Sequence, residues 1–471
     1  MRVEPRTLKG FQDLLPEEAL ARRDVVRIIE DVFQRYGFAP VETPALEYLD
    51  VLLGTGGEET NKDLFRLQTP EGEDVALRFD LTVPFARVVA QYPDRIKAPI
   101  RRYAIGPVWR ADKPGPGRFR QFTQLDVDAA GSDSVAVDGE IVAAMSEAMS
   151  ALGAPSHRIV INNRKLIDAL LESCGISDED RQKHILRVVD KLQKVGLDNI
   201  RLELGPGRVD ESGDPIRGVG LEPGVIDAII DFIGIQADTR EGVIEALTDR
   251  LQDSELARTA IAEMRELHEA LSALGVSEAH AAFEPSLARG LDYYTGPVFE
   301  IALPDAPEFG SVGGGGRYNG LVERFLDRAI PATGMSIGLD RLMAALTHLG
   351  AAKPARSVVQ ALVVTLGNVP KAETLRCAAE LRAGGIRTES FFGPKMNMKA
   401  QLSHADRHEI PVAIILGEDE LAKGVVAVKD LLAGKRQREH IEERDAYRQA
   451  GKSGQVTVPR EDMIKTVREM L

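Results

Sequence analysis

The chain has 471 residues, which is enough for about three domains with buried cores. It is 44% hydrophobic and 28% charged, a globular composition that excludes the disordered and collagen-like classes. The first residues lack an apolar signal-peptide core and no window of about 18 residues is free of charge, so the sequence predicts a soluble cytoplasmic protein without a membrane partner.

The charge distribution and the cysteine content bear on possible nucleic-acid partners, disulfides and metal sites. The net charge is −14, but residues 356–471 carry 19 basic and 16 acidic side chains and so have a net charge of +3. A basic surface of this size is most often only solvated, so the asymmetry by itself does not identify a nucleic-acid partner. Cys174 and Cys377 lie too far apart for a C-x-x-C pair, which argues against a disulfide framework or a structural zinc site.

The first predicted element is an amphipathic helix over residues 17–36, where apolar side chains recur at helical spacing. Pro40 and Pro44 end any helix and favour an extended edge segment. Between about 63 and 130, short alternating runs such as DVALRFD and FRQFTQLDVDAAG predict antiparallel strands. The core of this half is therefore predicted to be an antiparallel sheet.

Helical patterns then dominate, at 134–152 and over roughly 165–275, where a Gly- and Pro-rich segment interrupts them. Strand patterns return afterwards, so the sequence predicts one discontinuous domain over residues 1–350 with a mainly helical insertion at about 165–275. The later elements of this domain are two predicted strands and two predicted helices: 289–302, 310–318, 319–327 and 338–349.

The segment AAKPARS, residues 351–357, is typical of a linker. Beyond it, strand and helix patterns alternate from VVQALVVTLG to GVVAVKDL. This alternation predicts a separate α/β domain over residues 358–471 with a largely parallel sheet.

The common nucleotide-binding and hydrolase motifs are absent from the sequence, but several arginines stand at predicted strand ends or beside glycines. A guanidinium is permanently charged and its planar fork fits phosphate oxygens. Any one of these arginines could simply form a surface ion pair, whereas several converging on one sheet face would form a triphosphate cradle. The set comprises Arg110, Arg118, Arg120, Arg289 and Arg341.

The sequence around these arginines resembles the three motifs of class II aminoacyl-tRNA synthetases. The matching stretches are TPALE with Pro44, RRYAIGPVWRADKPGPGRFRQFTQLDVDAAG, and TGMSIGLDRL with Arg341. Two longer stretches, RGLDYYTGPVFE (289–300) and GGGGRYNGL (313–321), resemble the histidyl-tRNA synthetase family in particular. Supporting matches at KGFQDLLP, LRFDLTVPFAR and GEDELAKGVVAVKDL extend the similarity over nearly the whole chain.

The resemblance implies both a fold and a reaction. The fold is an α+β catalytic domain on an antiparallel sheet with a helical insertion, followed by a C-terminal α/β anticodon-binding domain. The reaction is ATP-dependent attachment of L-histidine to its tRNA through a histidyl-adenylate, with release of AMP and pyrophosphate. The attacking carboxylate is already ionised at pH 7, so activation needs positioning and charge stabilisation but no general base. Mg²⁺ is implied for the pyrophosphate, without named protein ligands.

The match to the family's motifs implies a role for each of these arginines. Arg110 and Arg289 would hold the α-phosphate and the histidine carboxylate, and they are the predicted catalytic residues. Arg341 would reach the γ-phosphate end of ATP, and Arg118 or Arg120 would help with the phosphate tail.

The same match implies an amino-acid pocket. Asp80, Thr82 and Gln124 correspond to the family's ammonium-binding positions, and Asp128 and Tyr294 to those that hold the two ring nitrogens. An ammonium needs carboxylate and hydroxyl acceptors, whereas a neutral imidazole offers one donor and one acceptor. Taken singly, such residues could also be strand-edge polar groups without a ligand. The predicted histidine-binding residues are Asp80, Leu81, Thr82, Gln124, Asp128, Arg289, Tyr293 and Tyr294.

Three places depart from the family pattern. Asp340 and Asn319 replace a common glutamate and a usual aspartate. In the second-motif loop, Lys113 and Gly115 stand where many bacterial relatives carry an arginine and a glutamine that contact the tRNA acceptor end, including an extra 5′ guanylate. Because glycine cannot read a base edge and lysine lacks a fork, we predict weaker dependence on that nucleotide, unless a backbone amide or another segment reads it.

The predicted partners are histidine tRNA, L-histidine, ATP and a second copy of the chain, with no DNA. The homodimer is implied because the first class II motif, here around Pro44, usually builds a dimer interface. Two alternatives stay open. One is a non-catalytic, histidine-binding paralogue that resembles the regulatory subunit of ATP phosphoribosyltransferase, and the other is a class II synthetase for another amino acid.

Overall fold

The computed structural model describes residues 3–53, 63–115, 117–210, 213–251, 254–288, 293–352, 357–432 and 454–471. It divides the chain into two compact units. The first contains Met1–Asp13 and Val25–Ala352, and the second contains Leu14–Asp24 and Lys353–Leu471. In the part of the chain that the structure describes, none of the helices combines the length and the apolar character needed to span a bilayer.

The first unit is built on strands that are mostly antiparallel to their neighbours. They are β1 (Ala39–Pro40), β2 (Leu46–Tyr48), β3 (Arg66–Gln68), β4 (Asp74–Leu77), β5 (Ile100–Trp109), β6 (Gln121–Ala130), β7 (Arg158–Asn163), β8 (Gly207–Val209), β9 (Pro215–Arg217), β10 (Ala281–Phe283), β11 (Pro297–Ala302), β12 (Gly313–Arg317) and β13 (Ala332–Gly338). Eight of them form one sheet in the order β1-β5-β6-β13-β12-β11-β7-β10. The predicted antiparallel catalytic sheet is confirmed, with parallel pairs only at the β1–β5 and β7–β10 edges.

The helices of this unit pack in two hydrophobic clusters, and the first of these helices belongs to this unit only from Val25 onward. They are α1 (Pro16–Arg35), α2 (Leu49–Leu52), α3 (Thr82–Gln91), α4 (Ala136–Ala151), α5 (Arg164–Ser173), α6 (Glu179–Val189), α7 (Leu192–Val195), α8 (Leu197–Leu204), α9 (Pro223–Ile233), α10 (Arg240–Arg250), α11 (Glu255–Ala273) and α12 (Leu339–His348). The side chains of Asn163, Asp178, Thr239 and Ser254 accept hydrogen bonds from the first amides of α5, α6, α10 and α11. These caps explain where four helices begin.

The strand β6, third in the order of the large sheet, has one face towards the apolar core and one face away from it. Leu125, Val127 and Ala129 are buried in the main hydrophobic cluster with residues of α4 and α11. Because successive side chains of a strand point to opposite faces, Gln124, Asp126 and Asp128 project the other way. One face of β6 therefore belongs to the apolar core, and the carboxylates lie on the other face only.

Two predicted elements of the first unit were wrong. The run Thr82–Gln91 forms helix α3, although the region was predicted to consist of strands; Pro84 is tolerated there because the first turn needs no amide donor. Residues 319–327 form turns instead of the predicted helix. Their backbone bonds, such as Phe325 to Val322 and Leu326 to Glu323, span only three residues.

The second unit contains a five-stranded sheet in the order β15-β14-β16-β17-β18. Its elements are β14 (Ala361–Thr365), α13 (Lys371–Ala383), β15 (Thr388–Ser390), α14 (Met398–Arg407), β16 (Val412–Leu416), α15 (Glu418–Lys423), β17 (Val425–Asp430), β18 (Gln455–Pro459) and α16 (Met463–Met470). The predicted α/β domain is confirmed, but its sheet is only half parallel. The strand β17 pairs antiparallel with both β16 and β18, and Gly424 ends the helix before β17 with a φ of +65°.

Candidate active site

A cavity of about 510 Å³ opens on the face of the large sheet that carries Gln124 and Asp128. Its walls come from β6, β11, β12 and β13 and from the starts of α3 and α12. The sequence-predicted residues that line it are Asp80, Thr82, Arg110, Arg118, Gln124, Asp128, Tyr293, Tyr294 and Arg341.

Four predicted residues of the described chain do not line this cavity. Leu81 is buried behind it, and its carbonyl accepts a hydrogen bond of 3.0 Å from Arg102 Nη2. Arg120 turns back to the loop, where its Nε donates to the carbonyl of Asp112 at 3.2 Å. Lys113 and Gly115 lie in the same loop, outside the lining. A fifth residue, Arg289, lies outside the residues that the structure describes.

The first acidic group of the cavity is Asp80, which precedes helix α3. Its Oδ1 accepts a hydrogen bond of 3.1 Å from the amide of Val83, which fixes the carboxylate at the helix start. Burial raises the pKa of Asp80 to about 6, although the positive charges of Arg110 and Arg102 oppose this effect. Thr82, two residues further along, donates to Asp126 Oδ2 at 3.5 Å.

The second acidic group is Asp128 on β6. The hydroxyl of Tyr318 donates to its Oδ1, and Arg102 Nη2 lies 2.8 Å from its Oδ2. Burial raises the pKa of Asp128 to about 7; Arg102 opposes this rise and Asp126 adds to it. The buried carboxylate is thus held by two protein groups.

Three tyrosines form one wall next to Asp128. The ring centroids of Tyr293 and Tyr294 are 4.8 Å apart, and those of Tyr293 and Tyr318 are 6.1 Å apart. Tyr318 was missed as a site residue by the sequence analysis, although it stands in the stretch GGGGRYNGL. Only the fold shows that the end of β12 returns to Asp128.

The other end of the cavity is positively charged. Arg110 Nε donates to the carbonyl of Phe79 at 3.0 Å, and its guanidinium lies 5.3 Å from the centre of the Phe122 ring. Arg341 Nη1 donates to the carbonyl of Ser311 at 2.6 Å. Burial lowers the pKa of Arg341, and the nearby positive charges of Arg118 and Arg110 add to this effect. Arg118 also pairs with Asp112 at 3.0 Å, and Glu300 acts against the repulsion at Arg341. Three arginines grouped in a half-buried cavity nevertheless favour the binding of a polyanion.

Comparison with known proteins identifies the family. A family model described as histidyl-tRNA synthetase matches residues 10–342, and one described as anticodon binding domain matches residues 360–470. The chain belongs to the histidyl-tRNA synthetase family. The resemblance indicated by the sequence motifs is confirmed, and the fold class that it implied is the one observed.

Individual relatives match the synthetase over its full length. The histidine–tRNA ligase of Caulobacter vibrioides is 39% identical over 487 residues, which cover 100% of this chain and 97% of that protein. The histidine–tRNA ligase of Paracoccus denitrificans is 40% identical and covers 100% and 98% of the two chains. A crystal structure of histidyl-tRNA synthetase from Nostoc sp. PCC 7120 superimposes with a TM-score of 0.82 at 29% identity, covering 100% of both chains.

The lining of the cavity also contains scattered acidic side chains. Asp63, Asp112, Asp190, Glu300 and Asp340 line it, but the described residues contain no group of three or more His, Cys, Asp or Glu side chains arranged around one point. Asp340, which replaces the usual glutamate, accepts hydrogen bonds from the amide of Thr123 at 2.8 Å and from Gln12 at 3.1 Å. Mg²⁺ usually takes one or two carboxylates and completes its shell with phosphates and water, so this lining fits Mg²⁺ that enters with ATP.

Proposed function

We propose that this synthetase activates L-histidine with ATP and transfers it to histidine tRNA in the cytoplasm. The observation that carries the proposal is the polarity of one cavity, which has buried carboxylates and tyrosines at one end and three arginines at the other. This arrangement matches a substrate pair with an ammonium and an imidazole on one side and a triphosphate on the other. Membership of the family supports the same reaction.

At the amino-acid end, Asp80, Thr82 and Gln124 bind the ammonium group, while Asp128 and Tyr294 bind the ring nitrogens. Gln124 Oε1 is buried and has no hydrogen-bond partner among the described residues. An unsatisfied buried acceptor is costly, so it favours a ligand that brings a donor. Tyr293 packs against Tyr294 and closes the wall, and Leu81 supports the floor from behind.

At the phosphate end, the substrate carboxylate attacks the α-phosphorus of ATP and pyrophosphate leaves. Arg110 stabilises the charge that develops on the α-phosphate, since its guanidinium is already oriented by the Phe79 carbonyl and the Phe122 ring. By motif match, Arg289 binds the carboxylate and the α-phosphate, and Arg341 and Arg118 bind the β- and γ-phosphates. Arg120 supports the loop through the carbonyl of Asp112. Bound Mg²⁺ neutralises phosphate charge.

The tRNA contacts divide between the two domains. We assign the catalytic domain to residues 1–350 with its insertion at about 165–275, the linker to 351–357 and the anticodon-binding domain to 358–471. Residues 353–356 of that linker lie outside the described part of the chain. The loop with Lys113 and Gly115 faces the acceptor end of the tRNA, whose terminal ribose receives the histidyl group as AMP leaves.

We further propose that two copies of the chain associate through the first class II motif. Pro44, Leu46, Tyr48, Val75 and Phe325 line an open groove of about 730 Å³. The side chains of Leu46 and Tyr48 are exposed on the small sheet β2-β4-β3. Exposed apolar patches of this kind commonly mark interfaces. Light scattering of the purified protein at micromolar concentration is expected to give twice the mass of 51.4 kDa.

The deciding experiment is ATP–pyrophosphate exchange with each amino acid in turn. Exchange is expected with histidine alone. Exchange with a different amino acid would favour another class II specificity. Histidine binding by calorimetry without any exchange would favour the non-catalytic regulatory reading.

A further inference from the structure

A buried ion network lies directly beneath the amino-acid end of the cavity. Arg102 of β5 pairs in register with Asp128 of β6, and Ala104, two residues further along β5, pairs with Asp126. The side chains of Arg102 and Asp126 are each 1% exposed. Arg102 Nη2 lies 2.8 Å from Asp128 Oδ2 and 3.9 Å from Asp126 Oδ2. One guanidinium is therefore shared by two carboxylates.

Arg102 is fixed in place by groups other than these carboxylates. Its Nη2 also donates to the carbonyl of Leu81 at 3.0 Å, and its guanidinium lies 4.5 Å from the centre of the Phe85 ring. Arginine does not deprotonate in proteins, so the charge must be balanced locally. Both anchors belong to the chain around helix α3, which also supplies Asp80 and Thr82 to the cavity.

Asp126, like Arg102, does not line the cavity. Its Oδ2 accepts from the hydroxyl of Thr82, and its Oδ1 has no hydrogen-bond partner among the described residues. Burial raises the pKa of Asp126, and Arg102 opposes the rise. Asp126 thus adds a second negative charge close to Asp128 without reaching the ligand space.

Four charged or titratable side chains face Asp128, and they come from four segments of the chain. Arg102 comes from β5, Asp126 from β6, Asp80 from the segment before α3, and Tyr318 from the end of β12. The pKa of Tyr318 is raised by burial and by Asp128, so its hydroxyl stays a donor. On β13 the positions opposite Asp128 and Asp126 are Gly334 and Ser336, which do not titrate near neutral pH.

We propose that Arg102 and Asp126 are positioning residues that set the charge and orientation of Asp128, and thereby the pH range in which the cavity accepts the imidazole of histidine. This inference rests on the proposed function of the cavity. Arg102 favours the ionised carboxylate, which accepts the imidazole N–H, while the negative charge of Asp126 disfavours it. Arg102 and Asp126 therefore have opposite effects on the ionisation of the Asp128 carboxyl group.

The test is the pH dependence of kcat/KM for histidine in pyrophosphate exchange, from pH 5.5 to 8.5, at saturating ATP. In Arg102→Met the acid limb is expected to move to higher pH, and in Asp126→Asn to lower pH, each by about half to one pH unit. KM for histidine at pH 6.5 is expected to rise about tenfold in Arg102→Met. The imidazole of free histidine titrates identically in every assay, so differences between variants belong to the protein.

Arg101→Met is the matched control. Arg101 is the neighbour of Arg102 on β5, points to the other face and pairs with Glu140 on α4. The acid limb of the pH profile of Arg101→Met is expected to coincide with that of the wild type. If Arg102→Met does not fold, Asp126→Asn decides alone, because asparagine keeps the shape of aspartate and removes its charge, although one oxygen becomes an amide donor.

Acid limbs that coincide with the wild type, or that move in the same direction in both variants, would overturn the inference even if kcat falls. Lack of histidine-dependent exchange by the wild type would instead overturn the proposed function. A change confined to melting temperature would reduce Arg102 and Asp126 to a structural role.

Discussion

Gly334 of β13 lies directly opposite Asp128 of β6, and a β carbon at position 334 would lie 2.0 Å from Asp128 Oδ1. The side chain of Asp128 cannot easily move away from this β carbon, because Tyr318 and Arg102 hold its two oxygens. We therefore expect Gly334→Ala to displace the carboxylate and raise KM for histidine by more than about tenfold, the cost of one lost charged hydrogen bond. KM for ATP is expected to change much less.

The matched control for this change is Gly320→Ala. Position 320 is exposed, and a β carbon there meets nothing within 4 Å. Pyrophosphate exchange measured against histidine and against ATP separates the two effects. Equal KM values for histidine in Gly334→Ala and Gly320→Ala would contradict the assignment of Asp128 to the amino-acid site.

Asp80 gives a prediction about stability and pH. Its pKa is raised from 3.8 to about 6 by burial, so the folded state binds this proton more tightly than the unfolded state. Ionised Asp80 consequently opposes folding above pH 6 and has no such effect below about pH 4. Asp80→Asn keeps an acceptor for the amide of Val83, so it is expected to stabilise the ligand-free protein by about 1 to 3 kcal/mol at pH 8.

Thermal unfolding across pH measures this effect. The melting temperature of Asp80→Asn is expected to exceed that of the wild type at pH 8, and the advantage is expected to shrink as the pH falls from 6.5 towards 4. The same variant should bind histidine more weakly, because the ammonium loses a charged acceptor. A lower melting temperature than the wild type at pH 8 would show that ionised Asp80 supports the fold.

Arg110 gives a prediction about the chemical step. Arg110→Lys keeps the charge but loses the planar fork and the contact with the Phe122 ring. We expect kcat for pyrophosphate exchange to fall by roughly 10²- to 10³-fold, as on deletion of an oxyanion donor, with little change in melting temperature. Arg118→Lys is the comparison, because Arg118 lines the same cavity but is more than half exposed. Similar kcat values for the two variants would argue against a special role of Arg110.

Much of the architecture could be predicted because its signals are local. Strand alternation around β5 and β6 and helical spacing in the insertion and in α13 and α14 depend only on nearby residues. The strand β18 was missed; its residues are mostly exposed, and its pairing with β17 is a contact between segments distant in sequence.

The site was predicted less completely for a physical reason. Motifs suggested Asp80, Gln124 and Asp128, but Arg102 and Asp126 join the network only through the pairing register of β5 and β6. A single sequence does not contain that register. Tyr318 likewise reaches Asp128 because of the return of β12 beside β13.

The anticodon-binding domain carries an exposed segment between β15 and α14 that suits single-stranded RNA. Phe392 and Met396 are exposed there beside Lys395. Unstacked bases pack on aromatic rings, and lysines attract phosphates. Phe392→Ala with Lys395→Ala is expected to raise KM for tRNA about tenfold and to leave histidine-dependent pyrophosphate exchange unchanged. Lys371→Ala, at the exposed start of α13, is the control, and an equal effect on KM would remove the segment from the tRNA interface.

The loop with Lys113 and Gly115 is closed by its own backbone. The amide of Gly115 donates to the carbonyl of Arg118 at 3.0 Å, and the amide of Arg118 donates back at 2.9 Å. Gly117 between them has a φ of +63°, a conformation that a side chain disfavours. These bonds limit how far the loop can extend towards the tRNA, so a substitute contact from its own backbone is restricted.

We therefore predict that the synthetase depends weakly on an extra 5′ guanylate of its tRNA, and that a side chain can restore the dependence. A β carbon at position 115 meets nothing within 4 Å, so Gly115→Gln adds a side chain there without a clash at its β carbon. Combined with Lys113→Arg, it supplies a base-edge contact worth roughly 5- to 150-fold in charging efficiency. Charging of paired transcripts with and without the nucleotide measures the ratio, with Gly115→Ala as control. A wild-type ratio well above a hundredfold would reject the prediction, because another segment would then already read the nucleotide.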